Sequence, residues 1–426
     1  MTDQLTRSGE RQSAPSPRVD PQRWPDVATV PGSPARAAIA ARLFRRAVAG
    51  IPLRVTEDGG RRYGGGSGPD PVMRLHRPDA FFRRVGASGT IGFGEAYMAG
   101  DWSADDLAGV LAAFAGSMRR LVPPPLQRLR HAVLSRQPRH HDNTVAGARQ
   151  NIERHYDLSN DLFRQFLDET LTYSCAIFDG EPHDSPEPLA QAQRRKIDRL
   201  LDITGVRTGS TLLEIGTGWG ELALRAAGRG AHVTTITIST EQAALAQERV
   251  TAAGAGERVD IQLRDYREVR GRYDAVVSVE MIEAVGANHW DAYFSTIDRV
   301  LKPGGRVGLQ AILQDDETVA TTRDTYTWIR KYIFPGGQIA SEEAIRRTLA
   351  EQTSLRVAAV LRFGRHYVET LRRWRHHFEE RAREVADVGF DEVFRRMWSL
   401  YLAYSEAGFR TGYLDVAQFT LTKPTP

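Results

Sequence analysis

The chain has 426 residues, room for two or three domains, and its 41% hydrophobic and 26% charged content is that of a globular protein, not a disordered or fibrous one. Its single cysteine, Cys175, excludes an internal disulfide and suits a reducing compartment, and it has no uncharged apolar run of about 18 residues to span a bilayer. The net charge of +4 is uneven: residues 1–139 hold 21 Arg against 12 acidic residues, so this front part, unless merely solvated, is expected to face nucleic acid or anionic lipid.

Residues 1–30 open MTDQLTRSGERQSAPSP, which lacks a signal-peptide core and reads as a disordered tail. PARAAIAARLFRRAVAG (34–50) has helical periodicity, with Arg42, Arg45 and Arg46 placed to dock on an anionic surface. IPLRV (51–55) and VMRLHR (72–77) read as short strands around a glycine-rich hairpin. Residues 91–116 read as a turn-rich segment entering a helix that Ser103 caps. PPP at 123–125 and QPRHHDN at 137–143 place a boundary near 140, so residues 31–140 are expected to form a smaller α+β domain. From about 195 strands and helices alternate through TLLEIG (211–216), AHVTTITIS (231–239), RVDIQL, YDAVVSVEM and RVGLQAIL, closing on YLDVAQFTLTK as an edge strand. That alternation predicts an α/β fold with a parallel sheet covered on both faces.

LLEIGTGWGE (212–221) places Gly216, Gly218 and Gly220 after the first of these strands. A dinucleotide turn wants a third glycine at position 221, where the chain has Glu221, and a P-loop would need GK[ST]. An acidic turn fits a cationic ligand with an amino acid moiety, Glu214 serving to orient the loop or an ammonium group. This glycine turn, with the YDAVVSVEM strand and the LKPGG turn in order behind it, resembles motif I of the class I S-adenosylmethionine (SAM) methyltransferases. The second strand carries no acidic residue at its end to grip a ribose; it ends at Ser239, which with Gln242 forms a capping box for the next helix.

More specific stretches lie outside that fold: HYDLSNDLFRQFLDETLTYSCAIF (155–178), EMIEAVG (280–286), YIFPGG (332–337), FGRHYVETLRRWRHHF (363–378) and YLAYSEAGFRTGYLDVAQ (401–418). With IGFGEAYMAGDW they resemble the cyclopropane-fatty-acyl-phospholipid synthase family from about residue 90 to the end. The resemblance implies a class I SAM-methyltransferase Rossmann-like sheet with helical insertions over 141–426. It also implies methylation of cis double bonds in acyl chains of anionic membrane phospholipids, at the inner face of the cell membrane. Tyr173, Ser174, Glu214, Gly216, Gly218, Gly220, Thr237, Ile238, Gln242, Asp265 and Tyr266 are then expected around SAM. A bound bicarbonate is implied as the base, held by Cys175, Glu283, Gln310, Ile312 and Tyr367.

Methyl addition to an alkene leaves a carbocation, which aromatic faces stabilise without reacting. Tyr173, Tyr332, Phe334, Tyr367 and Trp374 are candidates for that role, with core packing the plainer one for Phe334 and Trp374. The chain departs from many bacterial members at Ala284 and Gln310, where those have His; Gln310 can still bond an anion but cannot titrate near neutrality. EMIEAVG, WIRKYIFPGG and FDEVFRRMWSLYLAYSEAGF resemble an actinobacterial branch that makes 10-methylene fatty acids, which a separate flavin-dependent reductase converts to 10-methyl chains. The ring-forming activity is the alternative. No element for a flipped base is present, so nucleic acid is not expected as a partner. His140 and His141 lack metal-ligand company, so no metal is expected, and His155 reads as structural. Oligomeric state is left open, a homo-oligomer included.

Overall fold

The computed structural model describes residues 17–65, 68–121, 159–322 and 325–425; the boundary near 140, His140, His141 and His155 lie outside them. The front part holds β1 (Arg54–Glu57), β2 (Arg62–Gly64), β3 (Val72–Leu75) and β4 (Trp102–Ala104) in the order β2-β1-β3-β4. Prolines at the first turn start the helices Pro34–Val48 and Pro78–Ser88. Phe44, Phe81, Phe82, Phe93 and Phe114 pack edge to face or tilted between the helices.

Three expectations fail here for local reasons. The segment after 90 is not turn-rich but a helix, Thr90–Met98. Its glycines permit close packing: a Cβ at Gly92 would strike the Arg84 carbonyl, and one at Gly94 the ring of Trp328. Ser103 does not cap the next helix; it lies in β4 with its hydroxyl 2.7 Å from His76 Nε2, and Asp106 accepts the Gly109 N–H instead. Residues 17–30 are not a loose tail. Arg84, itself buried, donates to the carbonyls of Asp26, Val27 and Thr29 and pairs with buried Asp101 at 2.9 Å. The sequence could not show this, because the segment is held through backbone carbonyls, which every residue type presents.

The larger sheet contains β5 (Thr211–Ile215), β6 (His232–Thr237), β7 (Val259–Leu263), β8 (Tyr273–Val279), β9 (Leu301–Leu313), β10 (Arg356–Arg362) and β11 (Asp415–Thr422). Their order is β10-β11-β9-β8-β5-β6-β7, parallel from β9 through β7 and antiparallel at β11 and β10. The closing strand is therefore not the edge. β10 (RVAAVLR), which the strand pattern in chain order did not include, lies outside it with exposed or half-buried side chains. LKPGG, expected as a turn, is the start of β9.

β5 lies among the parallel strands, so the glycine turn opens where the carboxyl ends of β5, β6, β8 and β9 converge, the place where open α/β sheets bind ligands. The helices Gly364–Glu380 and Glu392–Arg410 pack on each other, and the latter also contacts Thr90–Met98 and Leu107–Leu121, joining the front part to the larger sheet. Between them and the helix Asn160–Phe166 lies an aromatic core of Phe163, Phe166, Tyr173, Trp374, Phe378, Trp398 and Tyr401.

Candidate active site

A cleft opens at the end of β5. Of the residues expected around the cofactor, Tyr173, Ser174, Glu214, Gly216, Gly218, Thr237, Ile238, Gln242, Asp265 and Tyr266 line it. Gly216 is left-handed (φ 98°), and a Cβ there would meet the Met281 side chain at 2.6 Å. Gly220 lies outside the cleft: it starts the helix Glu221–Gly228, where a Cβ would press on Ala246 at 3.3 Å. Ser239 caps the helix Thr240–Ala252 through the Gln242 N–H, but the box is not reciprocal, because the Gln242 carbonyl takes the Thr237 hydroxyl at 3.0 Å. Asp265 is clamped by Arg267, whose guanidinium holds it below the usual carboxylate range despite burial.

Glu214 is only 4% exposed, and burial pushes its pKa up to about 8. Its Oε2 has no hydrogen-bond partner among the described residues. A buried carboxylate oxygen on the wall of a cleft calls for a cation, and the ammonium of SAM fits that demand. Bare glycine backbone beside it admits the rest of an amino acid tail.

Beyond the cleft the residues expected to hold bicarbonate separate into two groups. Cys175, Gln310 and Tyr367 converge on a carboxylate, but it is that of Glu280. Its Oε1 accepts the Cys175 N–H at 3.0 Å and the Gln310 amide at 2.8 Å, and its Oε2 accepts the Tyr367 hydroxyl at 2.6 Å. Gln310 is fixed in turn by Gln418, its cross-strand partner on β11, and it also donates to the Cys175 carbonyl. Glu283 instead accepts the Ile312 N–H at 2.5 Å, and its Oε2 has no hydrogen-bond partner among the described residues. The set therefore does not fit bicarbonate: the three donors meant for the ion are spent on a side chain of the protein itself.

Glu280 has a left-handed backbone (φ 52°) at the end of β8, an uncommon conformation for a residue with a side chain and one that costs about 1–2 kcal/mol. Burial lifts its pKa, while the Tyr367 hydroxyl, the Lys196 charge and the Cys175 and Gln310 donors pull it back. Burial and Glu280 together hold the Tyr367 hydroxyl well above its usual range, so it stays a donor. Burial does the same to the Cys175 thiol, which excludes a thiolate nucleophile. Of the aromatic candidates, Tyr173 tilts over Trp374 at 5.2 Å and shares a hydrogen bond with Tyr401, while Tyr367 lies edge-on to Trp374 and Phe334 edge-on to Tyr401. Tyr332 belongs elsewhere, bonded to Glu95 of the front part.

Sequence reasoning missed Glu280 and Lys196, both lining the cleft. Each left a signal: an acidic residue closing the apolar strand YDAVVSV, and a lysine in a chain with four of them among 57 basic residues.

Fold and cleft together define a class I SAM-dependent methyltransferase. Comparison with known proteins narrows this: residues 144–419 match the model of the mycolic acid cyclopropane synthetase family, and the chain belongs to that family. It is 53% identical over 423 residues to tuberculostearic acid methyltransferase UfaA1 of Mycobacterium tuberculosis, covering 98% of this chain and 99% of that one. Against cyclopropane-fatty-acyl-phospholipid synthase of Escherichia coli K12 it is 34% identical over 84% of this chain and 89% of the relative. Among solved structures, mycolic acid cyclopropane synthase CmaA1 complexed with SAH and CTAB aligns with TM-score 0.58 at 30% identity, over 67% of this chain and 99% of that one.

Proposed function

We propose that this enzyme methylates the cis double bond of an unsaturated acyl chain in an anionic membrane phospholipid, and that Glu280 is the base. SAM, when bound, supplies an electrophilic methyl, which leaves the acyl chain as a carbocation. The Tyr173 ring on the cleft wall and the Tyr367 ring beside Glu280 offer that cation π-faces that cannot add to it. Glu280 then takes a proton from the newly added methyl group; its two oxygens, held by three donors, cannot swing away to be alkylated. The observation that carries this reading is the Glu280 carboxylate in its cage of Cys175 N–H, Gln310 and Tyr367, on the cleft wall.

Loss of that proton straight from the first cation closes a cyclopropane. A hydride shift beforehand makes the cation tertiary, and the same loss then gives an exocyclic methylene. The near full-length likeness to UfaA1 favours the 10-methylene product, precursor of a 10-methyl chain that a separate reductase would make. The likeness to the E. coli synthase favours the ring as the second reading.

The substrate class requires work at a bilayer, and no helix among the described residues is long and apolar enough to cross one. The helix Pro34–Val48 supports a docking role: it has no acidic residue, and Ile39 and Leu43, 61% and 60% exposed, lie among exposed Arg36, Arg42 and Arg46. Arg45, expected in this set, is packed inward on Tyr63 and Phe82 and paired with Glu57 at 3.1 Å. Purified enzyme given SAM and dioleoyl phosphatidylglycerol vesicles in carbonate-free buffer is expected to form C19 chains at its full rate. Dependence of that rate on added bicarbonate would refute the Glu280 reading.

A further inference from the structure

Lys196 lies in the helix Leu189–Thr204 and is 1% exposed. Its Nζ donates to Ser174 Oγ at 2.6 Å, and both residues line the cleft. Burying an ammonium costs several kcal/mol unless charges oppose it. Those facing it are Glu280 after β8, Glu214 on β5, and Asp168 and the Cys175 thiol in the stretch before the helix. The cleft thus spends a buried cation on a serine.

That serine stands in TYSCA, in a loop held by Gln193, whose amide donates to the carbonyls of Thr172 and Ser174. With the ammonium bonded to its oxygen, the Ser174 hydroxyl hydrogen is left to donate onward, and a hydroxyl polarised by a cation is a stronger donor. On the wall of the same cleft Glu214 presents its Oε2, which has no hydrogen-bond partner among the described residues. A polarised donor beside a cation and a buried carboxylate together match the two ends of a zwitterion.

We propose that Lys196, acting through Ser174, is the positioning residue for the carboxylate of the cofactor's amino acid tail, while Glu214 receives its ammonium. The inference rests on SAM being the cofactor and is independent of the acyl substrate and of Glu280.

The test is calorimetric binding of S-adenosylhomocysteine and of 5′-methylthioadenosine, which keeps the adenosine and sulfur but lacks the amino acid tail, to wild type and Lys196→Met. The substitution is expected to weaken S-adenosylhomocysteine about 10–100-fold, the size of a lost charge-assisted hydrogen bond, and to leave methylthioadenosine within about twofold. Lys196→Arg, which keeps the charge, is expected to recover part of the loss. Equal weakening of both ligands would make Lys196 structural only, and unchanged binding of both would remove it from the site; either result overturns the proposal. Should Lys196→Met not fold, Ser174→Ala carries the same comparison, and equal effects on both ligands would again overturn it. An enzyme inactive on every lipid would leave this readout intact.

Discussion

Replacing Glu280 with Gln removes the base and keeps the side chain's size and shape. In the wild type Oε1 takes two N–H donors and Oε2 takes the Tyr367 hydroxyl. A glutamine keeps its carbonyl oxygen on the two N–H groups and turns its NH2 towards Tyr367, whose oxygen can accept. The Tyr367 hydroxyl hydrogen and the second amide hydrogen lose an acceptor in this buried place, so stability is expected to fall by about 1–3 kcal/mol, short of unfolding. The amide cannot accept the methyl proton. Loss of a positioned general base costs about 10²–10⁴ in rate, or about 3–5 kcal/mol of transition-state stabilisation. Single-turnover methyl transfer to dioleoyl phosphatidylglycerol, at saturating SAM, measures the rate, and calorimetry with S-adenosylhomocysteine checks that the cleft is intact. Glu280→Gly goes further: glycine suits the left-handed backbone and leaves the three donors around a carboxylate-sized space, so added formate is expected to restore part of the rate. A Glu280→Gln enzyme within about tenfold of wild type would refute the reasoning.

Three further outcomes are expected. The Glu283 carboxyl is pushed up to about 8, by burial first and then by Glu280. A raised folded-state value favours the native state while the group is neutral, and that contribution is lost as pH rises through about 8. Glu283→Gln, always neutral, should therefore lose less thermal stability than wild type between about pH 6 and pH 9; parallel melting curves would contradict this. Gly94→Ala drives a methyl into Trp328 where the front part meets the helix Trp328–Tyr332, and should cost about 1–3 kcal/mol in denaturant unfolding. Ile39→Asp with Leu43→Asp should abolish sedimentation with phosphatidylglycerol vesicles while leaving the melting temperature unchanged, because both side chains are exposed; vesicle binding that survives would move the docking face elsewhere.

The sequence pattern reported best what depends on local spacing. The glycine turn after β5, the strand–helix alternation and the Ser239 cap were legible because each is encoded within a few residues. What was lost depends on partners far along the chain. Gly92 and Gly94 looked like turn formers because only the contacts with Arg84 and Trp328 reveal them as packing glycines. β10 was passed over although Val357–Leu361 is an unbroken apolar run, because so short a run does not by itself tell strand from helix, and its absence made β11 look like the edge. In the site, resemblance led to Cys175, Gln310 and Tyr367, and the geometry gathers all three. The resemblance led to Glu283 rather than to Glu280 because EMIEAVG holds two glutamates, and the left-handed backbone at Glu280 turns that one into the cage. With Glu280 there, the donors that bicarbonate would need are already bonded.

The central claim, methyl transfer to an acyl-chain alkene with a methylene product, is tested most directly in a bacterium lacking its own cyclopropane synthase, fed oleate and expressing this chain without a reductase. Gas chromatography–mass spectrometry of the total fatty acid esters is predicted to show a 10-methylene C19 chain that disappears with Glu280→Gln. A cyclopropane C19 chain would contradict the product assignment, and no C19 product at all would contradict the claim itself.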